Sequence, residues 1–225
     1  MALVFSLEWF QGINFLFELF ALISTLLIAF FSYRVFKYTS QRKYFHFALA
    51  FFLVAAAFFL KIISSVIVYS GEQQLQTIGA ATLTTYNIYY FEWIQSSGFF
   101  IARFVMLLAF LLLFIVHFKV RSKVVMLLLM YLVFVSILAR DSYLIFHATL
   151  FVILLPLTYY YLRNYLKNRK LSSALVLSSF FLMLISHPVF SFVLLYDKLY
   201  IIAEFIQSLA FLILLLTILI PRFRK

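Results

Sequence analysis

Long apolar runs, separated by short charged segments, make up almost the whole chain. A helix needs about 20 apolar residues to cross a hydrocarbon core of about 30 Å. Reading each run between its charged boundaries predicts seven spanning helices, at Gln11 to Tyr33, Tyr44 to Tyr69, Glu92 to His117, Val124 to Ala139, Ser142 to Leu162, Leu171 to Tyr196 and Leu199 to Ile220. The fourth run is short, but Lys123 and Arg140 can extend it by snorkelling.

Composition supports helices rather than strands in these runs. Of the 225 residues, 67% are hydrophobic and 11% charged, whereas a soluble domain is about half apolar and about a quarter charged. Phe occurs 31 times, while Gly occurs four times and Pro three. Long uninterrupted runs differ from the alternating strands of a membrane barrel. We therefore predict an all-α polytopic membrane protein, with residues 1–225 as one transmembrane seven-helix bundle in the cell membrane.

The distribution of charge predicts the orientation. Fourteen of the 18 basic residues lie in four segments that contain no Asp or Glu: Arg34, Lys37, Arg42 and Lys43; Lys119, Arg121 and Lys123; Arg163, Lys167, Arg169 and Lys170; and Arg222, Arg224 and Lys225. Basic segments remain in the cytoplasm. Four inner segments that include the C-terminus require an outer N-terminus and seven spans. The outer segment from about Ser70 to Tyr90 is expected to be a loop, a short helix or a cap over the bundle.

Several function classes are disfavoured by the same observations. The net charge of +11 comes from clusters between apolar runs, which favours a lipid bilayer over nucleic acid as the partner. The absence of Cys excludes disulfides, thiolate catalysis and iron–sulfur clusters. The N-terminus lacks the basic region and cleavage site of a signal peptide. We find no nucleophile motif, so an embedded hydrolase is the least favoured reading, and we expect neither catalytic residues nor a resident cofactor or metal.

Ionisable residues within the runs form the candidate site. Intramembrane charges are costly and usually face the interior of a bundle. At about 1.5 Å per residue, these groups lie about 22–27 Å above the nearest inner cation. We therefore predict a ligand-binding polar layer in the outer leaflet, composed of Glu18, Lys61, Arg103, His147, His187, Glu204 and Gln207.

Other interpretations of these residues remain open. Glu18 or Arg103 can belong to a structural ion pair, with Glu204 as one candidate partner, and Lys61 can snorkel to the headgroups. His147 and His187 can bracket a ligand, bind a metal together with Glu204, act as a pH switch, or form only structural hydrogen bonds. His46 and His117 are expected at the inner interface.

Two segments carry a resemblance to a known family. The stretch from Tyr33 to Leu60, YRVFKYTSQRKYFHFALAFFLVAAAFFL, resembles the first loop and second helix of prokaryotic seven-helix sensor domains of histidine kinases. The helix 7 stretch AEFIQSLAFLILLL is similar in character. The resemblance implies ligand sensing within the membrane. Because no kinase follows Lys225 in this sequence, the expected output is a separate cytoplasmic signalling protein.

The sequence therefore favours a sensor that binds a small ligand, an ion or a proton in the outer polar layer. A small-solute or proton transporter is one alternative, although polar groups are confined to one half of the spans. A bis-His haem protein that uses His147 and His187, with His46 and His117 as a second pair, is another. The topology also resembles microbial rhodopsins, but that family carries its retinal lysine on helix 7, where this chain has none; Lys61 lies on helix 2.

Overall fold

A computed structural model describes residues 8–77, 84–120, 122–138, 143–193, 195–196 and 198–223. These residues form seven α-helices and no strand. The helices are α1 (Glu8–Thr39), α2 (Arg42–Thr77), α3 (Thr84–Phe118), α4 (Ser122–Leu138), α5 (Tyr143–Asn168), α6 (Leu171–Phe192) and α7 (Leu199–Phe223). The prediction of an all-helical chain is confirmed.

Helices α2 and α3 extend well beyond the apolar runs that predict them. The segment from about Ser70 to Tyr90, expected to be a loop, a short helix or a cap, is helical in its described residues, since α2 continues to Thr77 and α3 begins at Thr84. Apolarity marks where a helix crosses lipid, whereas Ser, Thr and Gln can continue a helix at only a modest cost. Residues 78–83 of this segment lie outside the described part of the chain.

Three helices end in tight left-handed turns without glycine. Ser40, Lys119 and Arg169 have φ values of 53°, 47° and 47° and follow the ends of α1, α3 and α5. The Ser40 N–H donates to the Phe36 carbonyl at 2.7 Å, as expected of a left-handed helix cap. Such caps reverse the chain within a few residues, so the next helix starts at once and packs antiparallel to the last.

Six of the helices close into a ring. Contacts run from α1 to α2, α3, α5, α6, α7 and back to α1. Helix α4 lies outside this ring, and its described residues pack only on α3 and α5. The ring therefore has an interior to which helices distant in sequence contribute side chains.

Within the part of the chain that the structure describes, the six ring helices are also those that are long and apolar enough to cross a membrane. Their outer surfaces carry large exposed apolar side chains, such as Phe30, Phe52, Phe59 and Phe205, each more than half exposed. Contiguous apolar surface of this kind marks a face that contacts lipid or another protein. The six candidate spans indicate a multi-pass membrane protein.

Phenylalanine side chains fill the centre of the ring. Phe58 of α2 meets Phe211 of α7 edge to face, with ring centroids 5.7 Å apart. This is a preferred geometry for aromatic pairs. The largest fully buried side chains of the ring include Phe51, Phe58, Phe110, Phe180 and Phe211.

Candidate functional site

Lys61 lies between two carboxylates from opposite ends of the chain. Its Nζ is 2.9 Å from Glu18 Oε1 on α1 and 3.0 Å from Glu204 Oε1 on α7, and it donates to the Tyr200 hydroxyl at 3.3 Å. The Glu18 and Glu204 residues are 0% and 2% exposed, and the Lys61 side chain is 25% exposed. One ammonium group thus joins α1, α2 and α7 on the inside of the ring.

Burying the charges of this cluster has a free-energy cost that its ion pairs must offset. Burying a carboxylate costs on the order of several kcal/mol of hydration free energy. A nearby cation offsets that cost only while the two charges stay in contact. Glu18 and Glu204 both contact the same Lys61 ammonium. Any proton, ion or ligand that changes the charge on one carboxylate therefore changes the balance at both contacts.

His147 and His187 form a second contact, between α5 and α6. Their Nδ1 atoms are 3.1 Å apart, so one Nδ1–H donates and the other Nδ1 accepts when both rings are neutral. The Phe190 ring stacks on His147 at 4.6 Å with an interplanar angle of 21°, and the Tyr143 ring lies 4.3 Å from His147. The imidazoles are thus held in an aromatic enclosure.

Arg103 of α3 lies beside this enclosure. Its guanidinium carbon is 5.8 Å from the ring centroids of both Tyr143 and Phe146. A guanidinium over aromatic rings at this distance makes a cation–π interaction, which is stronger away from water. This contact ties α3 to the part of α5 that carries His147.

Two tyrosines connect these groups into one polar layer. Tyr143 contacts the His147 ring and lies under the Arg103 guanidinium, and Tyr200 accepts a hydrogen bond from Lys61. The Phe190 ring packs edge to face on both tyrosines. Each of the six ring helices therefore contributes at least one polar side chain to the layer. With neutral imidazoles, its two carboxylates and two cations balance in formal charge, which limits the cost of burying it.

The structure brings together six of the seven predicted site residues: Glu18, Lys61, Arg103, His147, His187 and Glu204. Gln207 is buried about one turn below Glu204 on α7. Lys61 is turned inward, so the alternative of a snorkelling lysine is wrong. Glu18 and Glu204 both contact Lys61, a partner that the predicted ion pair did not include. The ligand-binding role of these residues stays a prediction.

Sequence reasoning missed Tyr143 and Tyr200. Each lies four residues before a predicted site residue, Tyr143 before His147 and Tyr200 before Glu204. That spacing places both members of a pair on one helix face. A search of the same faces for hydroxyl groups, in addition to charges, finds both of them.

The histidine geometry does not fit the bis-His haem alternative. Axial imidazoles face each other across an iron, whereas His147 and His187 contact each other directly. The proposed second pair has other partners: His46 Nδ1 is 2.7 Å from the Arg42 carbonyl, and His117 Nε2 is 2.7 Å from the Tyr161 hydroxyl. The alternative metal site of two histidines and Glu204 is not formed either, since no group of three potential metal ligands occurs within the described residues.

The interior below the polar layer is apolar. From this layer to the turns at Ser40, Lys119 and Arg169, the buried polar residues that the structure describes are uncharged. Several donate hydrogen bonds to backbone carbonyls: the Ser179 hydroxyl donates to the Ala210 carbonyl at 2.8 Å, and the Thr158 hydroxyl donates to the Leu154 carbonyl at 2.9 Å. The polar layer is thus bounded on that side by the phenylalanine core.

No protein-family model, curated protein or solved structure matches this chain. The functional proposal therefore rests on the geometry of the polar layer.

Proposed function

We propose that this chain is a membrane-embedded sensor whose outer polar layer binds a small ligand, an ion or a proton. The observation that carries the proposal is the Lys61 ammonium, which is shared by carboxylates of α1 and α7. These helices are far apart in sequence and meet where the ring closes. Binding that weakens one of these carboxylate contacts would loosen the packing of α1 on α7. A separate cytoplasmic protein would detect the resulting movement at the cytoplasmic ends of the helices.

The proposal includes seven spans with the N-terminus outside and the C-terminus in the cytoplasm. The ten basic residues of the inner segments whose side chains the structure describes are all exposed, as the positive-inside rule favours. Helix α4 would be the seventh span. Its 17 residues extend about 25 Å at 1.5 Å per residue, slightly less than the core, and Lys123 at its inner end can snorkel.

The apolar core favours a sensor over a transporter. A transporter needs a polar site that is alternately open to both sides of the membrane. Here Phe58 and Phe211 pack edge to face in the centre of the ring, inward of Lys61 and Glu204 along their helices. This packing supports access to the layer from one side only.

A binding screen tests the proposal. The purified protein in lipid nanodiscs is heated at several pH values, with monovalent and divalent salts, and with small polar solutes. We expect at least one condition to raise the unfolding midpoint, because a species that binds only the folded state stabilises it. Single changes Glu18→Gln, Arg103→Gln, His187→Asn and Glu204→Gln should each remove that response.

Thr25→Val is the matched control. Thr25 lies seven residues after Glu18 on α1, and its hydroxyl bonds to carbonyls of its own helix, at 2.7 Å to Ala21. This variant should keep the response. If no condition stabilises the protein, or if all four layer variants respond like Thr25→Val, the layer is structural and the proposal is wrong.

Signalling is tested separately by spin labels at Tyr38→Cys and Asn168→Cys. Both residues are exposed, near the inner ends of α1 and α5, and the chain has no native Cys. The stabilising condition should shift the distance between the labels, and Glu204→Gln should abolish that shift. An unchanged distance would contradict signalling across the bundle.

A further inference from the structure

The triad of Glu18, Lys61 and Glu204 holds one more negative than positive charge. Both carboxylates contact the same ammonium group, at 2.9 Å and 3.0 Å. Arg103, the second cation of the polar layer, lies over two aromatic rings of α5. Two carboxylates that share one site resist being ionised together, because each charge raises the free energy of the other. The triad therefore favours the uptake of one positive charge.

Burial limits which positive species can reach these carboxylates. The Glu18 and Glu204 residues are 0% and 2% exposed, whereas the Lys61 side chain is 25% exposed. A metal cation needs several oxygen ligands at once. The Lys61 ammonium already occupies the position between the two carboxylates. A proton needs only one carboxylate oxygen and leaves Lys61 in place, so the geometry suits a proton better than a larger cation.

The other titratable groups of the polar layer are less suited to hold this proton. His147 and His187 contact each other through their Nδ1 atoms. A proton on either ring would add positive charge beside the Arg103 guanidinium, which lies over the Tyr143 ring that contacts His147. The Tyr200 hydroxyl accepts a hydrogen bond from the Lys61 ammonium, and a phenol is neutral at physiological pH. The excess negative charge is thus located at the two carboxylates.

We propose that the ligand of the outer polar layer is a proton, bound by the triad of Glu18, Lys61 and Glu204. This inference rests on the proposed sensor function and narrows its ligand. The proton adds to an oxygen of one carboxylate and converts it into a neutral carboxylic acid. Lys61 keeps its charge and pairs with the other carboxylate, so the triad becomes neutral. The ion pair between Lys61 and the protonated glutamate is reduced to a hydrogen bond, which weakens one contact of α2 with α1 or α7.

Infrared difference spectroscopy tests whether the triad takes up a proton. The intact protein in lipid nanodiscs is titrated from alkaline to acidic pH, and the C=O band of a buried carboxylic acid is followed. We expect one such band in the native protein. Glu18→Gln and Glu204→Gln should each remove it over the same pH range, because each leaves a neutral lysine–glutamate pair. Glu72→Gln is the matched control, about three turns beyond Lys61 on α2, and should keep the band.

Lys61→Met tests the role of the shared cation. A neighbouring cation favours the ionised form of a carboxylate, so its removal should make the band appear at a pH higher by about 1–3 units. If the band appears at the same or a lower pH in this variant, the proton is bound elsewhere and the inference is wrong.

The spin labels at Tyr38→Cys and Asn168→Cys connect proton binding to the helix movement. Acid should shift the distance between the labels in the parent protein. Glu204→Gln imitates the protonated carboxylate and should hold the distance at its acid value at every pH. A distance held at the alkaline value would overturn the inference.

The proton inference and the sensor function fail in different ways. If a salt or a solute stabilises the protein in the binding screen while no carboxylic-acid band appears, the sensor function stands and the proton is not its ligand. If the band appears but the label distance is the same at every pH, the triad binds a proton and the sensor function is wrong.

Discussion

Lys61 decides how the charges inside the ring are balanced. The Glu18 and Glu204 carboxylates both lie within 3.0 Å of its ammonium group. Removing one partner from a buried ionic cluster costs far more than the cluster contributes in net stability, because the remaining charges stay buried without compensation. Lys61 is thus the group through which charge couples α1 to α7.

We therefore expect Lys61→Met to lower the free energy of unfolding by about 3–5 kcal/mol. The triple variant Glu18→Gln, Lys61→Met, Glu204→Gln should recover most of that loss, since no charge is then left uncompensated. Reversible unfolding in mixed detergent micelles measures both values. A triple variant as unstable as Lys61→Met would mean that the loss comes from packing rather than from charge.

At the scale of elements, Gly98 allows α3 to pack closely on α2. A Cβ atom at this position would lie against the side chain of Ser64, with the Ser64 Cβ at 3.1 Å and the hydroxyl closer still. The Ser64 hydroxyl donates to the Leu60 carbonyl of its own helix. Small residues at such points allow helix backbones to approach closely in membranes.

Gly98→Ala should force the two helices apart and destabilise the fold by about 1–3 kcal/mol, the usual cost of overpacking. In the double variant Gly98→Ala, Ser64→Ala, the closest clashing atom is removed, so part of the stability should return. A double-mutant cycle on unfolding free energies measures this coupling. Additive effects of the two changes would contradict direct contact at this crossing.

For the whole molecule, the distribution of charge predicts the orientation in the membrane. The left-handed turns at Ser40, Lys119 and Arg169 all lie within or beside the basic segments, so the positive charge is concentrated at one end of the ring. Moving these segments across the membrane would bury many cations in transit. This asymmetry supports the inner placement of the α1–α2 turn.

Single cysteines test that orientation, because the native chain has none. We expect a membrane-impermeant maleimide to label Leu195→Cys, between α6 and α7, in intact cells. Gln41→Cys, in the α1–α2 turn, should be labelled only after permeabilisation. Both residues are exposed, so access to them depends only on the side of the membrane. The reverse pattern of labelling would mean an inverted topology.

The sequence by itself determined the helical class, the approximate position of each helix and the common depth of the polar groups. These properties depend on local composition and on a fixed rise per residue, which apolar runs and charge spacing report directly. It also predicted that Glu18 and Glu204 lie at a similar depth, although their helices are at opposite ends of the chain. It misplaced the ends of α2 and α3, because polar residues can continue a helix outside lipid.

Only the tertiary structure decided which groups meet. The position of α4 outside the ring, the sharing of Lys61 by Glu18 and Glu204, and the direct contact of His147 with His187 all depend on how the helices are ordered and rotated. Helices that are apolar on nearly every side carry little information about rotation, since lipid and protein interior are equally apolar. Rotation is then fixed by a few polar and close-packed contacts between distant helices, which no local pattern records.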